Sequence, residues 1–314
     1  MHHSEEKLAS IRTSMKANAI DAFLISHTDP HLGENIPEHW RVIAWLTGFT
    51  GSVATLVVTD SFAGLWTDSR YYVQANNQLF ASGFVLMKPG VSDKKDFIEW
   101  LVGNIKPGNR IALDGSTFSI SHLKKIEKGT DGKGISIDIE SDLISEFWSD
   151  RPPVSGSPAF DHPLAFCGKE RADKINEVRS EMKRLNVNYH LLTSVDDIMW
   201  LLNIRGNDVK YSPLLMSFAI IGEEQILLFA DENKIPLKIA REFDKLDIVI
   251  LPYEETAGML STLSAGSTIL ITPGTTSAAL YNSIPAGMKI TEDISNPTRL
   301  KAIKKKGRIE NNVK

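Results

Sequence analysis

The densest group of side chains able to bind a metal or move a proton is His27, Asp29, His31 and Glu34. Two imidazoles and two carboxylates so close together could ligate a divalent ion. The same residues also make an ordinary polar loop around the turn pair Asp29-Pro30. A two-metal hydrolytic centre needs convergent ligands with the ions roughly 3.5–4 Å apart. The remaining histidines, His2, His3, His39, His122, His162 and His190, form neither an HExxH pattern nor a Cys/His pair at ligand spacing. No GxSxG, GxGxxG or P-loop occurs. Cys167 carries no signal of activation and reads as an inert, partly buried thiol. Gly48-Phe49-Thr50-Gly51-Ser52 precedes a strand, whereas a phosphate cradle wants a helix N-terminus after it. It reads as a tight turn.

The stretch Trp66-Thr67-Asp68-Ser69-Arg70-Tyr71-Tyr72 is different, because a strand ends there and a helix begins. Thr67 or Asp68 can cap that helix. Arg70 falls in its first turn, where the helix dipole opposes a cation. Arg70 therefore requires an ion-pair partner or a ligand. Trp40, Trp45, Trp66 and Trp200 read as core or interface.

The elements that must position these residues alternate between helix and strand. A helix spans about residues 5–18, with Leu8, Ile11, Met15 and Ile20 as an apolar stripe and Ser4 as a possible cap. Strands follow at 22–26, 54–59 and 63–67, the last two joined by the hairpin-like turn Asp60-Ser61-Phe62. A helix over 70–79, a strand over 84–87, a helix over 94–102 and a strand over 110–114 continue the series. The alternation argues for α/β architecture.

Residues 151–158, with three prolines, a glycine and two serines, interrupt it as a linker. Beyond the linker the opening pattern returns. Lys174-Ile175, Val178-Arg179 and Met182-Lys183 repeat Lys7-Leu8, Ile11-Arg12 and Met15-Lys16 at a constant offset (174 − 7 = 182 − 15 = 167). The same offset carries Leu24-Ile25-Ser26 onto Leu191-Leu192-Thr193. Trp45-Leu46 recurs as Trp200-Leu201 at an offset of 155, so the second copy has a loop shorter by 12 (167 − 155). A repeat this long points to a duplicated domain rather than a solenoid. Strands over 217–221 and 225–230 form a hairpin through Gly222-Glu223-Glu224. Further strands lie at 247–251 and 268–272, with helices near 234–245 and 256–263.

Length and composition bound the rest. A chain of 314 residues suits two domains. The hydrophobic fraction of 42% and charged fraction of 24% are those of a globular protein. A net charge of −4 gives no support for a nucleic-acid surface, which usually shows a basic excess. A single cysteine fits a reducing compartment, and no apolar run is long enough for a membrane helix or signal core. The expectation is a cytoplasmic protein. His2 and His3 are either native or the remnant of a tag.

Several stretches resemble the long, three-domain form of the Xaa-Pro aminopeptidase (aminopeptidase P) family. They are Thr28-Asp29-Pro30-His31, Trp45 through Ser52, Gly64 through Tyr71, Asp196 through Val209 and Tyr211 through Ser217. Asn296-Pro297 and Lys301-Ala302-Ile303-Lys304 resemble the join to the family's third domain, with Ile309-Glu310-Asn311 as its opening helix. The chain departs from the family where the histidine motif continues as Leu32-Gly33-Glu34-Asn35. The resemblance implies two related creatinase N-terminal-type domains, each a mixed β-sheet flanked by helices. It implies residues 1–162 for the first, 163–298 for the second, and 299–314 for the start of a pita-bread catalytic domain.

That third domain would hold two divalent ions, usually manganese, through Asp, Asp, His, Glu and Glu ligands. None of these can be assigned to the present residues, so no catalytic or metal-binding residue and no bound ion is expected in this chain. Its substrates would be peptides with proline at the second position. The resemblance also implies contact with the catalytic domain, homo-oligomer assembly, and no nucleic-acid or membrane partner. The arginine of the family's W-T-D-x-R-Y motif, here Arg70, would reach the peptide, with His31 and Asp68 as further candidates. A different class of function shares the architecture: the large subunit of the histone chaperone FACT uses it as a non-catalytic interaction module.

Overall fold

The computed structural model describes residues 3–91 and 95–303. His2, the first residue of the helix expected from 94, and residues 304–314 with the expected opening helix at Ile309 lie outside the described residues. The chain divides into two compact units. One runs to Pro153 and takes in Ser277–Ala279; the other takes up from Val154.

The first unit contains, in chain order, α1 (His3–Ala17), β1 (Ala22–Ser26), α2 (Val42–Thr47), β2 (Thr55–Thr59), β3 (Ala63–Trp66), α3 (Tyr72–Gln78), β4 (Val85–Met87), α4 (Phe97–Asn104), β5 (Arg110–Leu113), α5 (Ile120–Thr130) and β6 (Ser136–Asp138). The six strands form one mixed sheet in the order β4-β3-β2-β1-β5-β6. β1, β2 and β3 pair antiparallel; β4, β5 and β6 join parallel. Central β1 is buried on both faces and so lacks polar alternation. Phe23 and Ile25 face the cluster that buries Leu8, Ile11 and Met15 of α1 and Ile43 and Leu46 of α2. Ala22 and Leu24 face Leu101 of α4 and Ile126 of α5.

The second unit contains β7 (Phe160–Asp161), α6 (Leu164–Cys167), α7 (Arg171–Leu185), β8 (Tyr189–Leu192), α8 (Val195–Leu202), β9 (Ile204–Arg205), β10 (Phe218–Ile221), β11 (Ile226–Phe229), α9 (Leu237–Asp244), β12 (Ile248–Leu251), α10 (Thr256–Ser261) and β13 (Thr268–Ile271). After these the chain forms α11 (Ala278–Asn282), β14 (Lys289–Glu292) and α12 (Asn296–Ala302). Its main sheet runs β12-β11-β10-β8-β13-β14. Reading β8 for β1, β10 for β2, β11 for β3, β12 for β4, β13 for β5 and β14 for β6, every pairing keeps its direction. The duplication legible in the sequence is therefore a duplicated sheet.

The repeated lysines and arginines explain why the opening helices read alike. Lys7 Nζ donates to the Trp45 carbonyl at 2.6 Å and lies 4.1 Å from that indole ring. Lys174 Nζ does the same at Trp200, at 2.7 and 4.6 Å. Arg12 Nε reaches the Thr59 carbonyl at 3.0 Å, and Arg179 Nε the Gly222 carbonyl at 3.1 Å. Each pair ties the helix before the first main-sheet strand, α1 or α7, to the helix after that strand and to the hairpin. The cation–ring component adds roughly 0.5–2 kcal/mol at each tryptophan.

Candidate functional site

The register of the first sheet decides which loops meet. Ser26 pairs with Thr55 and Thr55 with Trp66, so the end of β1, the start of β2 and the end of β3 lie side by side. The three stretches singled out in the sequence, 27–34, 48–52 and 66–72, therefore lie at one end of one sheet. His27 N–H continues the ladder to the Ala54 carbonyl at 3.0 Å. Thr67 Oγ1 donates to the Val53 carbonyl at 2.6 Å. Because Thr67 is occupied in this way, Asp68 is the cap.

Asp68 sits in an extended conformation and its carboxylate accepts the Arg70 N–H at 3.0 Å, closing a tight turn over Ser69–Tyr71. The helix expected from residue 70 thus begins as a 3₁₀ turn, with α3 following. The same carboxylate grips the Arg70 guanidinium in a fork, Nε at 3.0 Å and Nη2 at 2.7 Å. The bond from Arg70 holds the Asp68 carboxyl below its usual range, and Asp68 in turn raises Arg70, with a smaller contribution from Glu34. Glu34, in the neighbouring loop, thus adds its charge to the field at Arg70. The Arg70 side chain is 61% exposed even while paired. It is an aimed cation with donors to spare, since a guanidinium has five.

The floor beneath is closely packed. Tyr71 Oη and Ser52 Oγ share a hydrogen bond of 2.8 Å, and the Tyr71 ring stands edge-on to Phe49. A Cβ on Gly51 would lie 2.3 Å from the Phe49 ring and 2.9 Å from Tyr71, so this position admits only glycine without movement. Gly48 ends α2 in the left-handed conformation, φ 79°, which explains the first glycine of the turn. A groove of about 380 Å³ opens alongside, lined by Val53, Trp66, Asp68, Tyr72, Pro89 and Phe97 among others.

The histidine loop is not the exposed polar loop its composition suggests. His27, Asp29 and His31 are 5%, 1% and 1% exposed; only Glu34 is exposed. The Asp29 carboxylate accepts the His31 N–H at 3.0 Å and the Gly33 N–H at 3.4 Å, folding the loop over itself. Burial pushes Asp29 up to about 6 despite these bonds. Burial, aided by Arg41, drives His27 down to about 4, so it is neutral at pH 7. Among the described residues no three His, Cys, Asp or Glu side chains converge at metal-ligating spacing. The residues present do not fit a two-metal centre, and no reaction step is assigned through one here. No helix among the described residues is long and apolar enough to cross a membrane.

Residues 7–144 match the family model of the creatinase/prolidase N-terminal domain, and residues 150–307 match a second model of that description. The chain belongs to this family. Two creatinase/prolidase N-terminal domains in tandem account for the repeated sheet. The Xaa-Pro aminopeptidase app-1 of Caenorhabditis elegans is 35% identical over 262 residues, covering 83% of this chain and 42% of that protein. Aminopeptidase P2 of Arabidopsis thaliana is 31% identical over 89% of the chain and 40% of its own length. The chain thus spans less than half of these relatives. The crystal structure of X-prolyl aminopeptidase from C. elegans, a cytosolic enzyme with a di-nuclear active site, superposes on 99% of the chain and 53% of that protein, at a TM-score of 0.92 and 30% identity.

Within this creatinase/prolidase domain pair, sequence reasoning did not find the charge of Glu34 acting on Arg70, or the Tyr71–Ser52 bond. Both depend on the β1-β2-β3 register, which places residues distant in sequence side by side.

Proposed function

We propose that these two domains are the front part of a metal-dependent Xaa-Pro aminopeptidase, contributing to the substrate cleft and to assembly. The observation that carries this reading is the likeness along 99% of the chain to an X-prolyl aminopeptidase. Arg70 is the residue that contacts the peptide in this reading. Its guanidinium is exposed, fixed in direction by Asp68, and able to donate to a peptide carbonyl or carboxylate. Asp68 acts by holding Arg70, and His31 acts through the loop it helps to pack.

The substrates are peptides with proline at the second position. The two divalent ions, manganese in this reading, are held by a further domain of the parent protein, which docks with these two. The parent is a cytoplasmic homo-oligomer, a placement supported by the lone cysteine and by the cytosolic relative. Purified residues 1–314 should fail to cleave an Ala-Pro-headed peptide in manganese, whereas the full-length protein should cleave it. Turnover by the fragment would overturn its assignment as non-catalytic. A full-length protein that leaves such peptides intact would overturn the aminopeptidase reading.

A further inference from the structure

The groove beside the Asp68–Arg70 pair draws its walls from several elements of the first unit. Val53 precedes β2, Trp66 ends β3, Tyr72 opens α3, Pro89 follows β4 and Phe97 opens α4. The sheet register brings them together, because Thr55 pairs with Trp66 and Trp66 with Met87. The Trp66 ring is 3% exposed and stands edge-on to Trp100 at 5.4 Å, so the core behind it sets its place. Val53, by contrast, is 40% exposed.

The polar atoms of these walls are already engaged within the fold. Trp66 Nε1 donates to the Lys95 carbonyl at 3.0 Å, and Tyr72 Oη to the Pro89 carbonyl at 3.1 Å. The Val53 carbonyl accepts Thr67 Oγ1. Asp96, which also lines the groove, caps α4 by accepting the Glu99 N–H at 2.8 Å. Both oxygens of Asp68 are held by Arg70. What remains for an occupant is ring and aliphatic surface. A space of about 380 Å³ lined in this way has the make-up of a small-ligand site. Its ring surfaces suit an apolar or aromatic side chain.

The occupant follows from what the groove shares with Arg70. Asp68 lines the groove and holds the guanidinium at 2.7 Å, so a peptide bound by Arg70 lies within reach of it. In the aminopeptidase reading the cut falls between the first residue and the proline. Only the chain after the proline is long enough to run on past the site of cleavage.

We propose that this groove is a specificity pocket, which takes an apolar side chain of the peptide downstream of the proline while Arg70 holds the peptide backbone. The proposal deepens the aminopeptidase reading and rests on it.

The test uses the full-length protein and the peptide Ala-Pro-Ala-Ala-Ala, with phenylalanine placed in turn at its first, third, fourth and fifth positions. Phenylalanine at one position after the proline lowers KM about tenfold relative to alanine, with kcat unchanged. Val53→Phe, which fills the groove from an exposed position, brings that ratio close to unity. Arg70→Asn raises KM for the alanine and phenylalanine peptides alike and keeps the ratio. A ratio that survives Val53→Phe overturns the proposal. So does equal KM for all the peptides, or a preference confined to the first position; either outcome leaves the aminopeptidase reading standing. Equal KM values together with a lower Tm in Val53→Phe give the groove to a protein contact, and likewise overturn the peptide assignment. A full-length protein that cleaves none of the peptides overturns the aminopeptidase reading, and this proposal falls with it.

Discussion

The two units share a scaffold and differ in what they do with its ends. α2 and α8 both stop in a left-handed residue, Gly48 at φ 79° and Asn203 at φ 52°. Both units then carry a glycine with no room for a side chain, Gly51 and Gly206. Both follow the third sheet strand with a 3₁₀ turn capped by an aspartate. Asp68 accepts from the Arg70 N–H, and Asp231 from the Asn233 N–H. At the matching positions (70 + 163 = 233, 71 + 163 = 234) the first unit has Arg70 and Tyr71, and the second Asn233 and Lys234. The first unit sends its cation outward, paired but exposed. The second turns its cation inward, onto Asp208. One turn thus serves a surface site in one copy and a buried anchor in the other, which separates what the fold requires from what function added.

If the inward pair is an anchor, breaking it should be severe. Asp208→Ala leaves Lys234 buried without a counter-charge and should destabilise the second unit by about 3–5 kcal/mol. The double change Asp208→Leu with Lys234→Met should recover most of that, as read by urea unfolding. A single variant as stable as wild type would remove the anchor from the comparison. The crowded glycines sharpen it next. A Cβ at Gly206 meets backbone, the Leu214 carbonyl at 2.7 Å and Leu215 Cα at 2.8 Å, whereas at Gly51 it meets aromatic rings. Rings can shift and backbone cannot, so Gly206→Ala should cost about 3 kcal/mol and Gly51→Ala nearer 1. The reverse order in thermal melts would mean that the second loop is the more pliable one.

Much of this scaffold was legible because it is local. The span 22–26 reads as a strand and is one, and the turn at Asp60-Ser61-Phe62 joins an antiparallel pair as expected. The constant offset of 167 carries Lys7 and Arg12 onto Lys174 and Arg179, and the same contacts recur. α5 went unread although Leu123 and Ile126 sit at helical spacing behind Ser119, which caps the helix by accepting from His122 N–H. What was not legible is long-range. His27, Asp29 and His31 read as a polar loop in sequence, and their burial has no local signal: the His27 N–H is carried onto the Ala54 carbonyl, 27 residues away (54 − 27 = 27). The pairing of Lys234 with Asp208 crosses 26 residues and leaves no local trace.

Acid should distinguish the units through their buried histidines. His190 is fully buried on β8, and neither ring nitrogen has a hydrogen-bond partner among the described residues. Burial drives it from 6.5 down to about 3, against an upward pull from Asp197. Between those values the unfolded chain holds a proton that the folded chain refuses. Stability from this residue is therefore present above pH 6.5 and falls as the pH drops, by about 2 kcal/mol at pH 5. In the first unit His27, lowered to about 4, acts in the same direction. Asp29, raised to about 6, acts in the other, because its folded form takes up a proton first and gains stability as pH falls from 6 towards 3.8. His39 and His122, also lowered by burial, act with His27, and Asp114, raised by burial, acts with Asp29, so the first unit's groups oppose one another. Phe23 occupies the matching position in β1 (23 + 167 = 190). His190→Phe should remove most of the second unit's loss between pH 7 and pH 5, measured as the difference in urea midpoints. An unchanged difference would place the acid sensitivity on another group.

The outward pair should behave in the opposite way, with stability hardly moving and binding changing. An exposed ion pair contributes little to folding, and Arg70 is freely exposed while Asn233 fills the same turn position without a charge. Arg70→Asn, which gives the first unit the residue of the second, should leave Tm unchanged because Asp68 still caps the turn through the backbone N–H. In the full-length protein it should raise KM for an Ala-Pro-headed peptide about tenfold, the loss of one charge-assisted contact. Asp68→Asn should lose less, since the arginine remains but is no longer held in one direction. If Arg70→Asn leaves KM unchanged and lowers Tm, then the outward cation, like the inward one, serves the fold, and the contrast between the two copies is one of burial alone.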